Sequence, residues 1–200
     1  MNNPLSPGKL IVINGPSSSG KTTLALAAQK QLGIPFLRFS FDLFLDNKVL
    51  PMDQIKSGAF SWQEMRPAVF HGIHRCLPAL AGTGNNLIFD HIIESRSWLE
   101  DLLQSISGSD VFFVGLYCSL AELERRELER GNRRSGEARA DFQTVHGITA
   151  YDLELNSENS PEENVKLLID ALEKRRRPSA LDTMLQEMNP QSAEENRKLE

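Results

Sequence analysis

The sequence predicts an α/β fold in which a mainly parallel sheet carries helices on both faces. Short apolar β-rich runs alternate with segments of helical period. The connections between those runs are long enough to hold a crossover helix. The first run, residues 10–13, passes straight into the turn residues Asn14-Gly15-Pro16, as a buried strand entering a loop does.

Each element follows from local pattern. After that strand, residues 21–32 place Leu24, Ala27, Ala28 and Leu32 on one helical stripe, and Gly33 with Pro35 ends it. Residues 36–41 are strand-like. Residues 43–60 hold Pro51 and Gly58 without a clean period, which suggests an irregular excursion with short helical pieces of the kind that carries substrate. A helix is expected from residue 61 or 62 to 80 in spite of Pro67 and Pro78, then a strand over 86–89 and a helix near 97–105. A buried strand over 110–117 precedes a charged helix over 120–130, which breaks at Gly131-Asn132. A weak strand at 151–155 and a helix at 162–174 complete the pattern.

Composition narrows the function. Two hundred residues with 40% hydrophobic and 24% charged side chains suffice for one core, so a single domain over 1–176 is expected, followed by a polar tail over 177–200 that is a loose helix or disordered. With 22 basic against 27 acidic residues the net charge is -5, which excludes a nonspecific nucleic-acid coat protein. Cys76 and Cys118 have neither metal nor disulfide spacing, so both are expected as buried small hydrophobes in a reducing compartment. No run is long enough for a secretory leader or a membrane span. A soluble cytoplasmic chain without a membrane partner is the expectation; its oligomeric state stays open.

The strongest functional signal is Gly15-Pro16-Ser17-Ser18-Ser19-Gly20-Lys21-Thr22, with Thr23 adjoining, set between the first strand and the first helix. Wrapping an anion in backbone N–H groups requires glycines where a side chain would block the approach or forbid the turn. Lys21 adds a positive charge and the helix N-terminus a partial one, while the Thr22 hydroxyl suits the magnesium that bridges triphosphate oxygens. ATP and Mg2+ are therefore the expected cofactors.

Ligands of open parallel sheets lie beyond the carboxyl ends of the strands, and two acids stand there. Asp42 ends the second strand and could take a proton from a substrate hydroxyl, or could cap the next helix. Asp90 closes the apolar run 87–89 and could support magnesium. His91, Trp62 and Arg66 are candidate substrate contacts, with Phe60 and Phe70 as further pocket wall, whereas His71, His74 and His146 lack zinc spacing. The segment 120–136 is rich in arginine. Its Glu/Arg pairs at i,i+4 fit a solvated face, yet Arg126 and Arg130 stack as like charges and Arg133 with Arg134 follow a glycine, which favours a mobile lid over phosphates.

Taken together, the loop 15–22, Phe39-Ser-Phe-Asp42, Leu87-Ile-Phe-Asp90, Val114-Gly-Leu-Tyr-Cys118, Arg126-Glu127 with Arg130-Gly131, and Val145-His146 with Tyr151-Asp-Leu-Glu154 resemble chloramphenicol phosphotransferase and its relatives, small kinases with a nucleotide-kinase-like core. The resemblance runs from about residue 9 to 156 and implies a P-loop kinase-like three-layer fold with a five-stranded parallel sheet. By the same likeness Asp42 serves as base for the acceptor hydroxyl, and Arg130 and Arg133 belong to a lid that contacts phosphates. The chain departs from the pattern at Pro16, Thr22 and His91, and residues 43–66 match poorly. The reading is a magnesium- and ATP-dependent phosphotransferase acting on a small-molecule hydroxyl, with Lys21, Asp42 and Arg133 as catalytic groups. A nucleoside or nucleotide kinase and a noncatalytic nucleotide switch are the alternatives.

Overall fold

Alternation along the strands decides which helices cover which face. The computed structural model describes residues 6–130 and 136–189. Among them β1 (Lys9–Asn14), β2 (Phe36–Ser40), β3 (Asn86–His91), β4 (Asp110–Tyr117) and β5 (Leu153–Asn156) form one sheet in the order β2-β3-β1-β4-β5. Every neighbouring pair is parallel.

Leu10, Val12, Leu87, Phe89, Val111 and Phe113 point to one face, where α4 (Trp62–Ala81), α5 (Arg96–Ile106) and α9 (Ala180–Met188) bury them. Ile11, Ile13, Ile88, Phe112 and Val114 point to the other, under α1 (Lys21–Gln31) and α8 (Pro161–Glu173). Both faces are covered, which is why the central strands read as unbroken apolar runs rather than alternating ones. The result is the three-layer α/β arrangement expected, with five parallel strands.

The excursion between β2 and α4 holds two short helices, α2 (Asp42–Asp46) and α3 (Met52–Lys56). Helix α4 starts at the Ser61 cap, whose hydroxyl accepts from the Glu64 N–H, and continues through Pro67 and Pro78. Strand β3 runs two residues beyond the expected end, which makes Asp90 and His91 its last two positions. No helix among the described residues is long and apolar enough to cross a membrane.

Three expectations need correction. Cys76 lies on the outer side of α4 and is exposed, because the inward stripe of that helix is Phe70, Ile73, His74, Leu77 and Ala81; Cys118 is buried as expected. Beyond the charged helix α6 (Leu120–Arg130), a further helix, α7 (Glu137–Thr144), forms with little apolar pattern of its own. It is held by Glu127, whose carboxylate accepts from the Gly136 and Ala138 N–H groups, and by Ala138 packing on Leu123 and Cys118.

The third concerns residues 177–189, expected as the start of a polar tail that is a loose helix or disordered: the helix forms, and it is not loose. Their helix α9 is capped by a Ser179–Asp182 box, and Ala180, Leu181 and Met184 are buried in the same core as β4 and α5. A polar composition concealed one narrow apolar stripe. Leu181 is only 3% exposed, so Leu181→Ala is expected to destabilise the fold by about 3 kcal/mol, read as a lower urea midpoint. An unchanged midpoint would mean that α9 adds nothing to the core.

Candidate active site

The loop after β1 is shaped as an anion cradle. Ser18 (φ 65°) and Gly20 (φ 92°) adopt left-handed backbone, which turns successive N–H groups toward one side. A Cβ on Gly15 would meet the Leu116 carbonyl oxygen at 2.6 Å, so glycine is required there. Lys21, 8% exposed, donates from Nζ to the Gly15 and Pro16 carbonyls at 2.8 Å each and is thereby held at the cradle's mouth. The hydroxyls of Ser17, Ser18 and Ser19 are buried without a hydrogen-bond partner, a condition that a bound polyphosphate would relieve.

Register brings the acids to the cradle. Asp90 pairs alongside Ile13 of β1 and Ser40 of β2, and Asp42 follows two residues later as the first residue of α2. Phe41 occupies the cap position, so Asp42 is not the helix cap. Burial raises the Asp90 carboxyl above its ordinary range, against the pull of Lys21 and Arg38 and with the push of Asp42. Arg38 Nη1 stands 3.6 Å from Asp90 Oδ2, an oxygen buried with no hydrogen bond. Among the described residues no cluster of three or more His, Cys, Asp or Glu could hold a metal unaided. Thr22 and Asp90 offer the hard oxygens that magnesium takes when phosphates supply the rest.

Lys21, Thr22, Asp42 and Asp90 open into one cleft of about 430 Å³. Phe41, Trp62, Phe70 and Trp98 give it an aromatic side: Phe41 stacks on Trp62 at 5.7 Å and Phe70 lies 4.2 Å from Trp98. Arg66 sits 4.4 Å over the Trp98 ring and donates to both Glu94 oxygens at 2.6 and 2.7 Å. Trp62, Arg66, Phe70 and His91 all line this cleft. Phe60 does not: it is half exposed and lines no part of the cleft. His91 is nearly enclosed between α4 and α5, and burial holds its pKa well below the ordinary value.

On the other side of the loop, Thr23 and Arg126 line a second cleft with Ser157 and Asn159. Arg126 donates to the Ser19 carbonyl at 3.3 Å, to the Ser157 carbonyl at 3.2 Å and to Glu122 at 2.7 Å, which ties α6 to the phosphate loop. Arg130 ends α6, and its side chain, like the whole of Arg133 and Arg134, lies outside the described residues.

Residues 8–173 match the family model for chloramphenicol phosphotransferase-like protein. The chain belongs to the chloramphenicol phosphotransferase-like family. A Mycobacterium tuberculosis protein named "Putative O-phosphotransferase Rv2636" is 34% identical, with 77% of each chain covered. Among solved structures, the fold is similar to the M. tuberculosis APS kinase CysC, recorded in complex with AMPPNP and APS (TM-score 0.63, 21% identity, 84% of this chain and 98% of that one). It is also similar to a gluconokinase from Sinorhizobium meliloti (TM-score 0.58, 20% identity, 85% and 94%). The fold is that of P-loop kinases, and the family is one of phosphotransferases.

In this chloramphenicol phosphotransferase-like chain the cleft also holds a residue that local pattern did not mark. Asp141 of α7 accepts from the Ser17 N–H at 2.8 Å, across 124 residues, and burial raises its pKa against that hydrogen bond. The carboxylate thus takes up a loop N–H that is then not free for another anion. Asp141→Asn is therefore expected to tighten ATP binding in EDTA about tenfold, or ~1.4 kcal/mol, by calorimetry. Weaker binding would show that the carboxylate shapes the loop instead of competing for it.

Proposed function

We propose that this protein transfers the γ-phosphoryl group of ATP to a hydroxyl of a small molecule. One observation carries the reading: Asp42 shares a single cleft with the phosphate loop and an aromatic wall. A nucleotide switch needs the loop and a magnesium acid, but neither a carboxylate nor an aromatic chamber beyond them. In the reaction, the N–H groups of 15–22 and the Lys21 ammonium hold the phosphates and offset charge that spreads over the transferring oxygens. Asp42 accepts the acceptor's hydroxyl proton as that oxygen bonds to the γ-phosphorus, and the bond from γ-phosphorus to the bridging oxygen breaks to release ADP. Thr22 and Asp90 would hold magnesium, which supplies neutralising charge to the phosphates when bound.

A phosphorylated acceptor, as in a nucleotide kinase, fits less well, because Arg66, a cation of the acceptor side, is already engaged by Glu94. Phosphorus NMR with Mg-ATP and a panel of hydroxylated metabolites and antibiotics, chloramphenicol included, tests the proposal. A new phosphate-monoester resonance with matching ADP supports it. ATP bound but never transferred to any alcohol, with hydrolysis alone, would favour the switch.

A further inference from the structure

Three groups from three elements form a chain beneath the aromatic side of the cleft. Asp101 on α5 takes His74 Nδ1 of α4 at 2.5 Å on one oxygen and His71 Nδ1 on the other. His74, 1% exposed, presents Nε2 to His91 Nε2 of β3 at 3.2 Å. Two ring nitrogens at that distance share one proton, so fixing one ring fixes the other. A carboxylate only accepts, so His74 carries a proton on Nδ1, and burial, which lowers the His74 pKa, keeps the ring neutral and leaves Nε2 with a lone pair. His91 Nε2 must then be the donor, and His91 Nδ1 the bare acceptor.

That nitrogen has no hydrogen bond among the described residues. His91 is among the residues that line the cleft, and its ring lies against Phe70 and Trp98. A structural histidine would normally spend both nitrogens on the protein. Here one is held by His74 and the other has no hydrogen-bond partner among the described residues.

We propose that Asp101 and His74 hold His91 in its Nε2–H form, so that its Nδ1 lone pair selects phosphoryl acceptors bearing a second hydrogen-bond donor besides the hydroxyl that Asp42 deprotonates. The proposal rests on the kinase reading for what the cleft binds; the tautomer does not. Asp101 and His74 are positioning residues, and His91 touches the acceptor. The class of acceptor that follows is a molecule with a flat apolar part for the aromatic wall, one reacting hydroxyl, and a nearby second hydroxyl or N–H.

The test is long-range nitrogen–proton NMR of the full chain labelled at its four histidines, with His91 assigned by comparison with His91→Phe. The expected spectrum has the proton on Nε2 and a pyridine-like Nδ1. A proton on Nδ1 overturns the proposal, and this measurement on the unaltered chain needs no variant to fold. The probes for selection are 1-phenylethane-1,2-diol and 2-phenylethanol, added with a nonhydrolysable Mg-ATP analogue. The diol is expected to shift the Nδ1 resonance and to bind about tenfold tighter than the mono-alcohol, as one added hydrogen bond allows. Asp101 is partly exposed on a helix, so Asp101→Ala should fold, and it is expected to mix the tautomers and erase that preference. Equal affinities in the unaltered chain, or a preference that survives Asp101→Ala, overturn the selection. Because binding and tautomer are read without turnover, failure of phosphoryl transfer in the NMR panel would be a separate result.

Discussion

Asp42→Asn is expected to lower phosphoryl transfer at least about a hundredfold while ATP affinity stays within about twofold. The side chain keeps its shape and loses only the ability to take a proton, so a fall in kcat with little change in nucleotide binding isolates base catalysis. Asp42 belongs to α2, outside the loop that grips the phosphates, and its charge pushes the Asp90 carboxyl upward. Removing it takes one anion out of a cleft meant for a polyanion, so nucleotide binding has no reason to weaken. Single-turnover transfer followed by phosphorus NMR, beside calorimetric titration of ATP, separates the two quantities. Transfer at the original rate would take Asp42 out of the chemistry and leave it as a surface carboxylate of the excursion.

Lys21→Met is expected to cost two to three orders of magnitude in turnover, about the loss seen when a single preorganised transition-state donor is removed. Lys21 is buried at the loop and anchored by two carbonyl hydrogen bonds, so its charge is delivered in a site where water screens it poorly. Met retains length and packing but neither charge nor donors. ATP affinity is expected to fall by about tenfold only, since the backbone N–H groups remain. The informative quantity is the ratio: equal losses in affinity and turnover would make Lys21 a ground-state anchor, and the larger loss in turnover marks stabilisation that grows as the phosphoryl group moves.

What the sequence made readable was local. The strand, loop and helix from β1 to α1 lie contiguously, so glycine spacing and apolar period together defined the phosphate site, and Asp42 and Asp90 were visible because strand ends in parallel sheets collect at one side. The partners of the site that no local pattern marks are joined only by tertiary folding. Asp141 meets Ser17 because Glu127, on the preceding helix, caps α7 from outside its own sequence. His74 lacks ligand spacing in the sequence; its contacts with Asp101 and His91 depend on α4 packing against α5 and β3, which no local period encodes. The tight packing of α9 was obscured for a simpler reason, since its apolar stripe, Ala180, Leu181 and Met184 with Leu185 and Met188 beside them, is set in a polar stretch.

Asn14 ends β1 and is wholly buried, accepting from the Ile93 N–H at 3.0 Å and donating to the Val145 carbonyl at 3.2 Å and the Tyr151 hydroxyl at 2.8 Å. One amide thus rivets the connections after β3 and before β5 to the root of the phosphate loop. The aromatic side of the cleft comes instead from the stretch that runs from the end of β2 into α5, with Phe41, Trp62, Phe70 and Trp98. The architecture is therefore divisible: under the proposed function, drift in that stretch retunes which acceptor is taken while the phosphate loop, braced from beneath by Asn14, is inherited intact.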